Sequence, residues 1–161
     1  MNKGHVTLRF ESRLPVPQSL LWQWITSVEG IRAELWPLMR MTLPRGVRSL
    51  ADLPATPGVP LFRSWILLAG VLPIDHSDLT LQEINPGHGF VEQSAMGSMA
   101  LWRHERRIVV DAGGPGTVLL VDELNFRPRL ARRLVAWFVH RLFEHRHAVL
   151  RARAARYRGP T

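Results

Sequence analysis

The chain has 161 residues, 46% of them hydrophobic, with a formal net charge of +8 and no cysteine. This length and apolar fraction predict one globular domain, residues 1–161, and exclude a disordered chain. The lack of cysteine excludes disulfide frameworks, zinc–thiolate sites and thiol nucleophiles. With no visible signal peptide, it favours a cytoplasmic location. The longest apolar run, Trp65 to Ile74, is too short to span a bilayer as a helix.

The N-terminal third predicts one strand followed by two helices. His5 to Leu14 alternates apolar and polar residues, as a half-buried strand does. An amphipathic helix should begin at Gln18 or Ser19 and end at Gly30. A short second helix is predicted over Ile31 to Leu38.

The middle of the chain predicts a long loop and then strands. Met39 to Pro60 has four prolines, two glycines and no clear period, which is typical of a functional or mobile loop, and we interpret it as a lid. Leu61 to Leu72 predicts a strand with a bend at Gly70. Asp78 to Ile84 and Phe90 to Ala95 predict a hairpin.

A second hairpin, turning at residues 113–116, places polar side chains on apolar faces. Alternate residues of a strand lie on the same face. In the first arm, one face carries Trp102, His104, Arg106, Ile108 and Val110. The facing side of the return arm carries Val118, Leu120, Asp122, Leu124 and Phe126. Polar groups in such a place must pair with each other or with a bound molecule.

A long helix over residues 128–157 should close the chain, with Pro128 in its first turn. Its apolar face is predicted to consist of Leu130, Leu134, Trp137, Phe138, Leu142, His145 and Val149. Strands in antiparallel hairpins followed by a long helix predict an α+β fold. A curved sheet against that helix leaves a concave space, which is the usual place for a ligand.

These elements and several local patterns resemble the SRPBCC superfamily, which includes START domains and polyketide cyclases. The resemblance covers Phe10 to Arg151 and is closest to small bacterial ligand-binding proteins. It is carried by the following segments: Phe90-Val91-Glu92-Gln93, Trp102-Arg103-His104-Glu105-Arg106, Gly116-Thr117, Asp122, Pro128, Phe143-Glu144-His145-Arg146 and Leu72-Pro73-Ile74-Asp75. Arg106 stands where a second histidine is common. The resemblance implies a helix-grip fold, a curved antiparallel sheet wrapped around a long C-terminal helix with an internal cavity.

Three interpretations of His104, Arg106 and Asp122 stay open. They can anchor a ligand, with Arg106 holding an anionic group, Trp102 giving a flat contact and Asp122 orienting the others. They can catalyse, with His104 as general base, as the resemblance to cyclases implies. They can be structural, as a buried ion pair of Arg106 and Asp122 with Glu92 nearby.

The best overall hypothesis is a non-enzymatic carrier or sensor of a small hydrophobic or amphipathic molecule. The predicted ligand-binding residues are Trp102, His104, Arg106, Asp122, Glu92, Trp65 and Met96. One alternative is a cyclase or dehydratase that uses His104, Asp122 and Arg106. No cofactor or metal site is predicted, because the histidines of the last helix, including His140, His145 and His147, lack chelating spacing. We interpret His145 as a half-buried packing residue and the other two as solvated.

The positive charge is concentrated at the C-terminus. Residues 127–158 contain ten arginines and one acid, Glu144, so the rest of the chain nets −1. No aromatic side chains interleave with these arginines as a base-stacking platform would, which argues against nucleic acid. A peripheral contact with an anionic membrane, or a regulator whose basic helix binds a partner, stays an alternative.

Overall fold

The computed structural model describes residues 4–114 and 116–159. Pro115 and both ends of the predicted 1–161 domain lie outside the described residues. The elements are, in chain order, β1 (Val6–Leu14), α1 (Gln18–Thr26), α2 (Val28–Leu35), β2 (Met39–Met41), β3 (Pro60–Leu68), β4 (Leu72–Asn85), β5 (Gly89–Gln93), β6 (Ala95–Met96), β7 (Met99–Val110), β8 (Val118–Pro128) and α3 (Arg132–Arg156). A 3₁₀ turn, Leu50–Asp52, lies between β2 and β3.

All strand pairs in the described residues are antiparallel, in the order β1-β8-β7-β5-β4-β3-β2, with β6 beside β4. The sheet curls around one side of the long helix α3. This is the predicted α+β helix-grip architecture. None of the helices in the described parts of the chain is long and apolar enough to cross a membrane.

Two apolar clusters hold α3 on the sheet. The first joins the C-terminal half of α3, through Leu150 and Ala154, to the end of β1 and to α1. The second joins the middle of α3, through Leu142 and Phe143, to β8, α2 and β3. Between these clusters lies the polar centre described below.

The predicted single strand over Leu61 to Leu72 is wrong, because the chain reverses within it. β3 ends at Leu68 and β4 begins at Leu72. Ala69 and Gly70 between them have φ values of 51° and 76°, so both are left-handed. Glycine accepts this conformation readily, but alanine does not, which is why the apolar run hid a turn.

The predicted loop from Met39 to Pro60 is partly sheet. Met39–Met41 forms β2 and pairs with the end of β3, so the lid hypothesis applies only to residues 42–59.

The first helix is shorter than predicted, the second lies three residues earlier in the chain, and Gly30 does not end one. Ser27 separates them and accepts a hydrogen bond from the Gly30 N–H at 3.0 Å, capping α2. α2 ends at Leu35, since Trp36 precedes Pro37 and that position disfavours helix. Gly30 lies inside α2, where it meets the end of α1.

The predicted boundaries and apolar face of the last helix also need correction. Pro128 ends β8, and α3 begins at Arg132. Its buried residues are Val139, Leu142, Phe143, His147, Leu150 and Ala154. Leu130, Leu134 and Trp137 are exposed instead. The face that packs on the sheet is therefore shifted around the helix from the one that hydrophobicity indicated.

We expect Gly30→Ala to lower the free energy of unfolding by about 1–3 kcal/mol, the usual cost of forcing extra atoms into a packed site. A Cβ at Gly30 would lie 1.8 Å from the carbonyl oxygen of Trp24, so two backbones would have to separate. Urea unfolding measures the effect. Gly159→Ala is the control, since a Cβ there meets nothing within 4 Å. Equal stability of the two variants would contradict the close packing of α1 on α2.

Candidate functional site

The two residue sets predicted to face each other in the second hairpin are paired in the structure. Trp102 pairs with Phe126, His104 with Leu124 and Arg106 with Asp122. Glu92 on β5 pairs with His104, which puts it next to the same group. The alternation therefore brings His104, Arg106, Asp122 and Glu92 together on the concave side of the sheet.

Asp122 is the acceptor at the centre of this group. Arg106 donates to both of its oxygens, from Nε at 2.7 Å and from Nη2 at 2.8 Å. The Nε2 atoms of His104 and His147 lie 2.8 and 2.9 Å from its Oδ1 and Oδ2. An ionised carboxylate only accepts hydrogen bonds, so both imidazoles carry their proton on Nε2. One carboxylate thus joins two strands and α3.

Arg106 extends the network to α2. Its Nη1 donates to both oxygens of Glu34, at 2.9 and 3.2 Å. Arg146 on α3 donates to the same carboxylate from Nε at 2.8 Å. Two acids and two arginines therefore balance in charge, which is the condition for keeping buried charges in a fold.

His147 ties the far side of the network to β1. Its Nδ1 lies 2.8 Å from the Ser12 hydroxyl, and Arg151 donates to that hydroxyl at 2.9 Å. With Nε2 protonated, His147 accepts at Nδ1, so Ser12 donates its own proton there. The prediction that His147 is solvated is wrong, because its side chain is buried.

Sequence reasoning missed Glu34, His147 and Ser12 as members of this group. Each lies on an element distant in sequence from the hairpin, and only the packing of α2, α3 and β1 brings them in. One signal was available: Arg146 belongs to the Phe143-to-Arg146 segment that carries the family resemblance.

The charges in the network fix its protonation. Burial alone raises the pKa of Asp122, but the charge and hydrogen bonds of Arg106, with those of His104, outweigh it and hold that pKa well below its usual range. Burial lowers the pKa of Arg106, and the carboxylates of Asp122 and Glu34 reverse this and raise it. The Arg106–Asp122 pair therefore stays ionised.

Arg106 and Asp122 are both 0% exposed, so the protein's own side chains fill the concave side at this point. The donors of Arg106 go to Asp122 and Glu34. Direct anchoring of a ligand by Arg106 stays a prediction, and it would require this network to open.

His104 has its second nitrogen directed toward a more open edge. Its Nδ1 lies 3.7 Å from Glu92 Oε2, too far for a hydrogen bond. Glu92 accepts from the Ser94 hydroxyl at 2.8 Å, and that hydroxyl accepts from the Thr80 N–H at 3.1 Å. Phe90 and Phe143 contact the imidazole edge to face, with ring centroids 5.7 and 5.1 Å away. The His104 side chain is 3% exposed and that of Glu92 13%, whereas those of Arg106 and Asp122 are 0% exposed.

Two further predicted residues, Trp102 and Met96, pack on the second apolar cluster and remain partly exposed. Trp102 contacts the ring of Phe126, with a centroid distance of 5.7 Å. Trp65 does not join them. It is exposed between buried Ser64 and Ile66, so it lies on the other face of β3, beside the ring of His76.

Two buried hydroxyls on the concave side were not predicted. Ser64 on β3 and Ser77 on β4 are directly opposite each other in the sheet. They are 0% and 2% exposed, and neither hydroxyl oxygen has a hydrogen-bond partner among residues 4–114 and 116–159. The sequence predicted no strand at Ser77 and no turn between β3 and β4, so it did not bring the two serines together. Buried polar atoms without partners are rare and mark places where another group belongs.

We expect Asp122→Asn to lower the free energy of unfolding at neutral pH by about 3–5 kcal/mol, the usual cost of removing one partner of a buried ion pair. The amide carries no charge and turns donors toward Arg106, which remains charged. Asp52→Asn, on an exposed turn, should change stability by less than about 0.5 kcal/mol. Urea unfolding measures both variants.

The same variant should change the acid sensitivity of the protein. Because the pKa of Asp122 is lowered by folding, its contribution to stability is present above the unfolded-state pKa of about 3.9 and is lost as pH falls through the folded-state pKa. The difference between wild type and Asp122→Asn should therefore shrink as the solution is acidified below about pH 4. A difference that stays constant would show that Asp122 is not the group that titrates.

Solved structures of START-like proteins are similar to this fold along almost its whole length. A START superfamily protein from Mycobacterium smegmatis has a TM-score of 0.66 at 12% sequence identity, covering 94% of this chain and 98% of that chain. The Zhui aromatase/cyclase from Streptomyces sp. R1128 has a TM-score of 0.60 at 11% identity, with 94% of each chain covered. A protein from Rhodobacter sphaeroides has a TM-score of 0.60 at 17% identity, covering 94% of this chain and 95% of that chain.

At these identities the likeness shows the fold, and it confirms the START-like, SRPBCC architecture inferred from sequence. No curated protein matches the chain in sequence. Residues 12–154 match a family model that spans β1 to α3 and includes the whole polar network. The chain therefore belongs to the family described as Domain of unknown function (DUF8410).

Proposed function

We propose that the protein binds a small hydrophobic or amphipathic molecule on the concave side of the sheet, as a non-enzymatic carrier or sensor in the cytoplasm. The observation that carries this proposal is the pair of buried, unpartnered hydroxyls of Ser64 and Ser77. Each unmade hydrogen bond in such a place costs about 1–3 kcal/mol. A polar group of a ligand placed between them would remove that cost.

The surroundings of these hydroxyls suit an apolar ligand body. Ile66, two residues from Ser64 on the same face of β3, belongs to the second apolar cluster. Met96 pairs with Ser77 across β4 and β6. Met96, Trp102 and Phe138 pack on that cluster and stay partly exposed. Flexible and aromatic side chains of this kind adapt to varied apolar shapes.

The polar network has a different role in this proposal. Arg106 and Asp122 hold the sheet, α2 and α3 in fixed relation, which keeps the walls of the site rigid. His104 and Glu92 form its polar end, since His104 Nδ1 is directed toward the partly exposed Glu92. Residues 42–59 act as the lid. The likeness in fold to a START superfamily protein and to an aromatase/cyclase supports a small-molecule ligand.

A second candidate is an enzyme of the cyclase or dehydratase kind. The supporting observation is the His104–Asp122 contact at 2.8 Å, which fixes the imidazole so that Nδ1 is the basic atom. Such a base can abstract a proton beside a carbonyl. The two functions differ in outcome: a carrier returns its ligand unchanged, whereas an enzyme returns a product of different covalent structure and loses that ability in His104→Gln.

We expect Ser64→Ala/Ser77→Ala to weaken binding of the fluorescent fatty acid cis-parinaric acid by about tenfold, the value of one or two hydrogen bonds. In the ligand-free protein the same change should raise stability slightly, because two unmet hydroxyls are removed. Fluorescence titration and urea unfolding measure the two effects.

The matched control is Ser19→Ala, an exposed serine on α1, which should leave the affinity unchanged. Native mass spectrometry of the freshly purified wild-type protein should reveal a bound mass. Unchanged affinity in the double variant, together with the bare polypeptide mass, would refute the proposed site.

A further inference from the structure

The start of α3 carries large apolar side chains that contact water. Leu130 just before the helix is 82% exposed, and Leu134 and Trp137 on its first two turns are 63% and 58% exposed. Leu134 and Trp137 are three residues apart, so they lie on the same side of the helix. Their neighbours Val135 and Phe138 face inward and pack on the second apolar cluster. Leu130, Leu134 and Trp137 therefore face solvent and do not take part in the core.

This side of α3 continues onto α2 and the β3–β4 turn. His145 is eleven residues, or about three turns, beyond Leu134 and so lies on the same line along the helix. Its Nε2 contacts the carbonyl oxygen of Trp36 at 2.7 Å. The Trp36 ring lies against Gly70, where a Cβ would come within 2.7 Å of it.

Trp36 and the two residues after Gly70, Val71 and Leu72, are 58%, 80% and 57% exposed. We call these two groups of exposed side chains, which the His145 contact to Trp36 connects, the docking surface: Leu130, Leu134, Trp137, Trp36, Val71 and Leu72.

The charge around the start of α3 and the chain that leads into it is positive, and the one acid of α3, Glu144, is exposed and pairs with Arg141 at 3.4 Å. Between Glu123 and Glu144 the sequence has five arginines and no acid: Arg127, Arg129, Arg132, Arg133 and Arg141. All five are exposed. Beside Trp36, Arg32 and Arg40 line a groove of about 410 Å³. Cations therefore border the exposed leucines and tryptophans at both ends.

We propose that the docking surface binds an anionic lipid bilayer, with Leu134, Trp137, Val71 and Leu72 entering the interface and the arginines contacting lipid phosphates. Tryptophan is favoured at the boundary between headgroups and acyl chains. Basic side chains add attraction to anionic leaflets. This inference does not rest on the small-molecule site, although a bilayer held here would lie next to Phe138 and the rim of that site.

Charge distinguishes the bilayer from other partners. A second copy docked by the same surface in a symmetric dimer would bring the two sets of arginines against each other, which is repulsive. A nucleic acid would satisfy the arginines but would leave the leucines and Val71 without an apolar partner. Only a surface with anionic groups above an apolar layer satisfies both features.

Vesicle co-sedimentation tests the proposal with the full-length chain. The protein should bind phosphatidylcholine vesicles containing about 30% phosphatidylglycerol and bind pure phosphatidylcholine far more weakly, since anionic lipid supplies the attraction. Binding should weaken between about 50 mM and about 500 mM salt because of screening. Arg132→Gln/Arg133→Gln should lower the partition coefficient about 25-fold, or about fivefold for each arginine. Leu134→Gln/Trp137→Gln should lower it at least about tenfold through lost apolar burial.

Two matched controls separate the docking surface from general effects. Arg156→Gln/Arg158→Gln removes the same charge at the other end of α3, and Val109→Gln/Val110→Gln removes exposed apolar side chains at the far end of β7. Both should bind nearly as wild type does. All four variants change exposed residues, and unchanged unfolding midpoints should confirm that they fold.

Three results would overturn the proposal. The first is no binding to the anionic vesicles at low salt. The second is an equal loss of vesicle binding in Arg132→Gln/Arg133→Gln and in Arg156→Gln/Arg158→Gln. The third is binding that survives Leu134→Gln/Trp137→Gln, which would leave only charge attraction. A dimer by light scattering that the same variant dissociates, without vesicle binding, would assign the surface to self-association instead.

Discussion

The ion pair between Arg106 and Asp122 is the interaction on which the rest of this structure depends. It joins β7 to β8, is wholly buried, and is connected through one further side chain to α2, α3 and β1. Asp122 reaches α3 through His147, and Arg106 reaches α2 through Glu34. Burying two acids and two arginines is costly unless each finds partners in the right geometry. Here the partners come from different elements, so the network specifies how those elements pack together.

This centre divides the concave side into two parts with different roles. On one side, the first apolar cluster joins α1, β1 and the end of α3, with Leu14, Leu21 and Leu120 fully buried. On the other side, the second cluster is bordered by partly exposed side chains and by two hydroxyls without partners. The solid half provides stability, and the less complete half is where a binding function is expected.

Local patterns predicted the sheet better than they predicted its contacts with helices. Strict alternation in β7 and β8 fixed which side chains face inward, so Arg106 and Asp122 were paired correctly from sequence. Glu34 and His147 could not be found in this way, because helix residues enter the network only after tertiary packing. The apolar face of α3 was misplaced for a related reason. Periodicity shows which residues are apolar, but whether Leu134 or His147 is buried depends on what covers it.

Ser12 and His147 are separated by 135 positions in the chain and still share a buried hydrogen bond. During synthesis, β1 leaves the ribosome long before α3 exists. Its inward hydroxyl and the carboxylate of Asp122 must therefore stay hydrated until nearly the whole polypeptide has been translated. Contacts of such high sequence separation slow folding, since the chain loses much entropy before they form. Correct assembly of this protein should thus be a late, largely post-translational event, and shortened nascent chains should remain targets for chaperones.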